Sequence, residues 1–292
     1  MPELPDIDLY VDKLDERVRG KTLKRIRISA PFLLRSVDPP LAAAEGLRVA
    51  GVRRLGKRVA LGLEDDYWLV LHLMVAGRLH WRDSPVELNG KQQIAAFDFS
   101  NGTLLLTEAG SKKRASLYLV QGESGLSVHD PGGIEPLECN LADFSTRLLQ
   151  ENRTLKRALT NPKTFSGIGN AYSDEILHAA RLSPIALTRK LAPDEIARLF
   201  AATKTVLTEW RERLRQQSGD EFPRKVTAFR EEMTVHGKFG KPCPACGAIV
   251  QRIRYKNNET NYCAACQTGG KVLADRSLSR LLKDNWPGRL DE

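Results

Sequence analysis

Four of the five cysteines fall into two tight pairs, Cys243-Pro-Ala-Cys246 and Cys263-Ala-Ala-Cys266, with 16 residues between them. Two close pairs of soft thiolates brought together by a hairpin make a closed tetrahedral site. Such a site suits structural Zn2+ and leaves no open position for water. Ligand type alone also admits iron in a rubredoxin-like arrangement. Zinc here would fold a segment too small to hold itself together. Between Lys238 and Asn258 stand Lys238, Lys241, Arg252, Arg254 and Lys256, and no acidic residue. A β-hairpin carrying Arg252, Arg254 and Lys256 at alternate positions would project them to one face, as a phosphate-binding finger requires. A solvated basic ribbon without a partner would have the same sequence.

The second constellation is the amino terminus, Met1-Pro2-Glu3-Leu4-Pro5. Removal of Met1, usual before a small second residue, would leave a secondary amine at Pro2. An α-amino group has an ordinary pKa of about 7.7 to 8.0, so part of it is neutral near physiological pH. The positive end of a helix starting near Pro5 would lower that value further. A neutral secondary amine can attack a sugar aldehyde carbon and form an iminium ion that acts as an electron sink. Glu3 could then protonate a ring oxygen, given surroundings that raise its pKa. Taken alone, a terminal Pro-Glu is equally well a rigid helix entry.

Composition sets the frame for both sites. The 292 residues suggest roughly two domains, and 41% hydrophobic residues are enough to bury real cores. The 45 basic and 36 acidic residues leave a net charge of +9, which favours a polyanionic partner through counterion release. The longest uncharged stretches, Tyr67 to Gly77 and Thr260 to Gly270, fall well short of the about 20 apolar residues of a membrane span. Glu3, Asp6, Asp8 and Asp12 stand where a signal peptide would be basic, so a cytoplasmic protein without a membrane partner is expected. Five cysteines are too few for a disulfide scaffold, and Cys139 reads as an ordinary reduced thiol.

The elements that must position these residues follow from periodicity. Ile7, Tyr10, Val11, Leu14 and Val18 have the spacing of a one-faced helix that Gly20 would end. Strand-like runs follow: Ile26 and Ile28, Val59 to Leu63, Trp68 to Met74, Phe97 and Phe99, Leu104 to Leu106, and Leu117 to Val120. An antiparallel sandwich or barrel behind one leading helix is expected. Beyond Asp130-Pro131-Gly132-Gly133 the pattern turns helical, with Phe144 and Leu148, Leu155 and Leu159, Ala171 to Arg181, and a long helix from Pro193 to about Gln217. The expected class is therefore α+β, with domains at residues 1–130, 131–237 and 238–270 and a basic extension at 271–292. His72 reads as a satisfied histidine within an apolar strand rather than a catalytic base, and the other four histidines show no metal spacing.

Four features in order, Pro2-Glu3-Leu4-Pro5, Lys57 on a predicted strand after Leu55-Gly56, Gly167-Ile168-Gly169-Asn170-Ala171-Tyr172-Ser173-Asp174-Glu175, and the four-cysteine finger, resemble the formamidopyrimidine-DNA glycosylase and endonuclease VIII family. The resemblance spans residues 1 to about 268. It implies a β-sandwich joined to a helix-two-turn-helix domain with a zinc finger, and a bifunctional DNA glycosylase and AP lyase. The implied partner is double-stranded damaged DNA, bound by a monomer. By the same resemblance Pro2 would be the nucleophile at C1′, Glu3 the general acid, and Lys57 a phosphate contact with a role in the lyase steps. Asn170 would clamp a phosphate near a helix N-terminus or cap the helix starting at Ala171. Glu175 resembles the family's helix glutamate near the catalytic proline. Such an enzyme must rotate its nucleotide out of the stack, which needs bent DNA and something to fill the gap.

The departures concern DNA contacts. His72-Leu73-Met74-Val75-Ala76-Gly77 stands where purine-excising members carry His-Leu-Gly-Met-Ser-Gly, so Met74, one position early, reads either as a gap-filling wedge or as strand core. The Asp-Pro-Arg-Arg-Phe-Gly loop is replaced by Thr107 to Arg114. The finger's usual tip arginine aligns with Asn258, which lacks the charge and the bidentate fork, leaving Arg254 or Lys256 to compensate. Lys271, Arg276, Arg280 and Lys283 in the extension would add phosphate contacts or pack on the domain. Two further readings compete: a non-catalytic lesion-binding protein on the same scaffold, and a zinc-ribbon factor for RNA or transcription. Pro2 and Glu3 in place favour the enzyme.

Overall fold

The computed structural model describes residues 1–110, 112–224, 226–255, 258–274 and 288–290. Lys256, Arg276, Arg280 and Lys283 lie outside the described residues. The chain divides into two compact units, residues 1–131 with 210–227 and residues 132–209 with 228–292.

The first unit opens with helix α1 (Leu4–Val18), one turn of sequence earlier than the apolar stripe alone suggests, because Glu3 serves as its N-cap. Ile7, Tyr10, Leu14 and Val18 are buried in one core with the strands behind them, each side chain stabilising by about 2 kcal/mol. Two four-stranded antiparallel sheets form the sandwich. One is ordered β1 (Leu23–Ile28), β6 (Gln93–Phe99), β7 (Gly102–Glu108), β5 (Gly77–Arg82). The other is ordered β2 (Val49–Leu55), β3 (Arg58–Leu63), β4 (Tyr67–His72), β8 (Ser116–Gln121). Strand β3 is buried on both faces: Val59, Leu61 and Leu63 face the main core, whereas Ala60 joins Val70 and Leu126 in a second cluster. Leu126 comes from the short helix α2 (Gly122–Ser127), which no apolar period marks in the sequence and which explains why β4 reads as continuously apolar.

Two expectations in this unit are corrected. Lys57 lies not on a strand but in the two-residue turn between β2 and β3, where Gly56 has φ +61°. Strand β4 ends at His72, so Met74 is not strand core. It sits in the turn before β5 with φ +52°, a left-handed conformation that a strand interior does not allow. That turn closes tightly: a Cβ at Gly77 would lie 2.3 Å from the Leu73 carbonyl oxygen.

In the second unit, α3 (Leu141–Leu149) is capped by Asn140, whose Oδ1 accepts from the Asp143 amide at 2.9 Å. Helices α4 (Leu155–Thr160) and α5 (Asn170–Ala179) flank the 161–169 turns, and α6 (Pro193–Ser218) contributes its residues up to Glu209. Phe144 packs on Phe165 and Phe200 with ring centroids 4.6 and 5.4 Å apart. At Gly133 a Cβ would lie 2.3 Å from the Pro162 carbonyl oxygen, a close approach that only glycine permits. The finger is a hairpin of β9 (Val250–Tyr255) and β10 (Asn258–Cys263) followed by helix α7 (Ala264–Thr268), closed by Gly269 at φ +60°. The mixture of helical and antiparallel elements is the α+β class expected.

The described ends of the extension pack on the finger rather than standing free. Leu273 and Leu290 join Tyr262, Ala264 and Ile253 in one apolar cluster. The Leu273 amide donates to the Tyr262 hydroxyl at 2.7 Å, and the Leu290 amide donates to the Gly270 carbonyl at 3.0 Å.

Candidate active site and nucleic-acid interface

Pro2 and Glu3 are buried, Glu3 to 2% exposure. The Glu3 amide donates to Asp6 Oδ2 at 3.0 Å and its carbonyl accepts from the Ile7 amide at 2.9 Å, so the residue is locked into the first turn of α1. The amino terminus is therefore held at the positive end of a helix. Burial pushes the pKa of the Met1 amine down; Glu3 and Asp6 oppose that shift, while Arg78 and Lys57 add to it. The Met1 amine, Glu3 and Lys57 thus share one electrostatic neighbourhood within the first unit.

Arg78, which carries no motif and was missed in the sequence, belongs to the same neighbourhood. Its Nε donates to the Val226 carbonyl at 2.6 Å, and its Nη1 to the Gly77 and Val75 carbonyls at 2.6 and 3.1 Å. Three carbonyls hold the guanidinium without neutralising it. His72 is half-buried, and burial with the Arg58 and Lys57 charges pulls its pKa down to about 4. It is neutral at physiological pH, and the cations beside it are a second feature that an apolar strand pattern conceals. Met74 is half-buried in its turn and the neighbouring Val75 is 61% exposed. Glu108, buried, accepts the amides of Arg114 and Ala115 at 2.8 and 3.2 Å and so ties the end of the 107–114 segment to β7.

In the second unit the N-cap of α5 is Gly169, so Asn170 is the first helical residue and not the cap. Its Nδ2 donates to the Glu259 carbonyl of β10 at 2.8 Å. Glu175 is buried and accepts three backbone amides, Thr234 at 2.8 Å and Val235 and His236 at 2.9 Å. It holds the approach to the finger and is not a solvated helix position.

The four cysteine Sγ atoms, Cys243, Cys246, Cys263 and Cys266, all lie within 4.8 Å of one another, and among the described residues no carboxylate or imidazole ligand joins the group. Four thiolates at that separation fit tetrahedral zinc. The ion would fix two chain segments to each other and offers no open position for chemistry. His178, whose pKa burial lowers, places Nε2 3.3 Å from Cys243 Sγ, the contact expected of an outer hydrogen-bond donor to a metal thiolate. On the hairpin, Arg252 Nη1 and Arg254 Nε stand 3.4 and 3.8 Å from the carboxylate of Glu259, so both arginines share one face. Asn258 is exposed at the start of β10.

The chain matches three family descriptions in succession: formamidopyrimidine-DNA glycosylase N-terminal domain over residues 1–110, formamidopyrimidine-DNA glycosylase H2TH domain over 133–218, and zinc finger found in FPG and IleRS over 240–269. Together with the site they define the class, a DNA glycosylase with a structural zinc finger. A formamidopyrimidine-DNA glycosylase of Heliobacterium modesticaldum is 30% identical over 280 residues, covering 91% of this chain and 100% of that protein. The crystal structure of the MutM (Fpg) protein of Thermus thermophilus superposes with a TM-score of 0.76 at 30% identity, covering 91% of this chain and 98% of the other. A Lactococcus lactis Fpg variant in complex with a Fapy-dG containing DNA superposes with a TM-score of 0.77 at 25% identity, covering 91% and 100%. The chain belongs to the formamidopyrimidine-DNA glycosylase family. Residues 270–292 lie beyond the three matched regions.

Proposed function

We propose that the chain excises oxidised or ring-opened bases from double-stranded DNA through a Schiff base on Pro2, acts as a monomer, and then cleaves the abasic site by elimination. The observation that carries this reading is the buried Pro2-Glu3 pair at the head of α1, at a terminus whose Met1 amine feels the Arg78 and Lys57 charges. Once Met1 is removed, the Pro2 nitrogen lone pair forms a bond to C1′, the glycosidic electrons leave with the base, and the departing base takes up the amine N–H proton. Glu3 delivers a proton to the ring oxygen as the C1′–O4′ bond opens, giving an iminium ion. A C2′ proton then passes to water, its C–H electrons expel the 3′ phosphate with the iminium as electron sink, and hydrolysis of the iminium frees Pro2. Lys57 holds the phosphate beside the reacting sugar. Asn170, Arg254 and Asn258 face the backbone further along, and the Met74 turn fills the gap left by the rotated nucleotide. The Lactococcus lactis Fpg variant in complex with a Fapy-dG containing DNA supports DNA with a ring-opened purine as substrate.

Borohydride reduction of the protein on a duplex with one abasic site tests the proposal. The wild type is expected to give a covalent adduct and Pro2→Gly none. Absence of an adduct under conditions where the protein binds that duplex would remove the lyase assignment, as would retention of Met1 by intact mass.

A further inference from the structure

Asp174 is fully buried, yet its carboxylate is met by donors from three other segments of the second unit. The Lys156 ammonium of α4 donates to Oδ1, and the same ammonium donates to the Asn170 carbonyl at 2.7 Å. His236 Nδ1, from the segment before the finger, lies 2.8 Å from Oδ2. The Asn261 amide of β10 donates to Oδ2 at 3.2 Å. A carboxylate only accepts, so the His236 nitrogen facing it carries the proton.

The spacing gives this cluster a purpose. Asn170 and Asp174 are four residues apart on α5 and share a face. They grip β10 at Glu259 and Asn261, residues that the hairpin register pairs with Arg254 and Arg252. The first turn of α5 therefore sets the position of the finger's basic strand. Apolar packing at the same place would bury surface but would let the strand slide, whereas directional bonds to one buried carboxylate admit a single register. His236 closes the arrangement from the opposite side, stacked on Phe229 with ring centroids 5.5 Å apart.

We propose that Asp174 and His236 are a positioning pair that fixes the Asn170 turn and the Arg252–Arg254 strand as one phosphate-binding surface. The inference rests on the DNA-repair reading above and adds to it the residues that hold the interface in register. Neither residue touches DNA in this role, so their loss weakens binding and spares the chemistry at Pro2.

The test uses the zinc-loaded full chain with Met1 removed. Binding is measured on a duplex with a tetrahydrofuran abasic analogue, and single-turnover cleavage on a natural abasic site at saturating protein. His236→Phe keeps the ring and removes the donor. It is expected to weaken binding about tenfold, the scale of one charge-assisted hydrogen bond, and to keep the saturating cleavage rate within about twofold. His236→Asn, whose amide nitrogen reaches the place of Nδ1, restores binding to within about threefold of wild type. Asp174→Asn keeps the shape, loses the charge, and gives the same split from the other side of the pair. The proposal is overturned if His236→Phe binds as wild type does, if His236→Asn is as weak as His236→Phe, or if the saturating rate falls while binding holds. A wild type that neither binds nor cleaves these duplexes sinks the repair reading itself.

Discussion

Arg78 donates from Nε to the carbonyl oxygen of Val226 at 2.6 Å, which joins the first residues of β5 to the segment after α6 and holds a cation facing the amino terminus. Burial lowers the pKa of the Met1 amine, Glu3 and Asp6 oppose that shift, and Arg78 adds to it; removal of Met1 would put the Pro2 amine at the same end of α1. The neutral amine is the reactive form. Replacing Arg78 by Met removes a positive neighbour, so the amine pKa rises and the neutral fraction at a given pH falls. The pH–rate profile of adduct formation should therefore shift its acid limb to higher pH, with the loss greater at pH 6 than at pH 8. A profile that drops equally at all pH values would show that Arg78 acts only by anchoring Val226.

Glu175 offers a stability prediction. Three backbone amides converge on a carboxylate 5% exposed, and no side chain that donates can satisfy all of them. Glu175→Gln turns one acceptor into a donor facing an amide and should cost about 3 kcal/mol, read as a lower urea midpoint at unchanged slope. A change below about 0.5 kcal/mol, the size of an ordinary surface substitution, would refute the staple.

The sequence was most legible where one residue type or one period dominates. The cysteine pairs and the core stripe of α1 depend on spacing within their own segment, and both are found where expected. Asp174 stands within the Gly167–Glu175 motif, but its importance comes from His236 and Asn261, 62 and 87 positions away, and no local pattern encodes that. Lys57 reads as strand after Leu55-Gly56, and Met74 reads as strand core or as a gap-filling wedge at the end of the Trp68 to Met74 run. Their backbones turn instead, at φ +61° in Gly56 and φ +52° in Met74, which hydrophobic alternation does not register. Arg78 carries no motif at all; only the fold makes it a neighbour of the terminus.

Removal of the metal should separate binding from sandwich stability. The four cysteines flank the hairpin that carries Arg252 and Arg254, and among the described residues the cluster around them has four buried members, Val235, Cys243, Val250 and Cys263. So small a core needs the ion to fix the Cys243–Cys246 loop to the hairpin. Chelation, or Cys263→Ser, should abolish tight binding to abasic-analogue duplex while urea unfolding of the β-sandwich, followed by its tryptophan fluorescence, stays unchanged. Full affinity in a zinc-free preparation would contradict a structural role for the site.

Asn258 stands exposed at the first position of β10, opposite Tyr255 in the register, where an arginine would add a cation at the end of the hairpin. The charge already there is partly spent internally, because Arg252 and Arg254 both lie within 3.8 Å of the Glu259 carboxylate. A new arginine at 258 is not opposed by a carboxylate directly across the strand. If the finger meets phosphate, Asn258→Arg should tighten binding about tenfold at low salt and steepen the dependence of log Kd on log salt by about 0.9, one phosphate's worth of released counterion. The advantage should shrink as salt rises from about 50 to 200 mM, since the gain is electrostatic. Tighter binding with an unchanged salt slope would mean that the arginine packs on a sugar or base rather than on phosphate, and no gain at any salt would place this end of the hairpin away from the duplex.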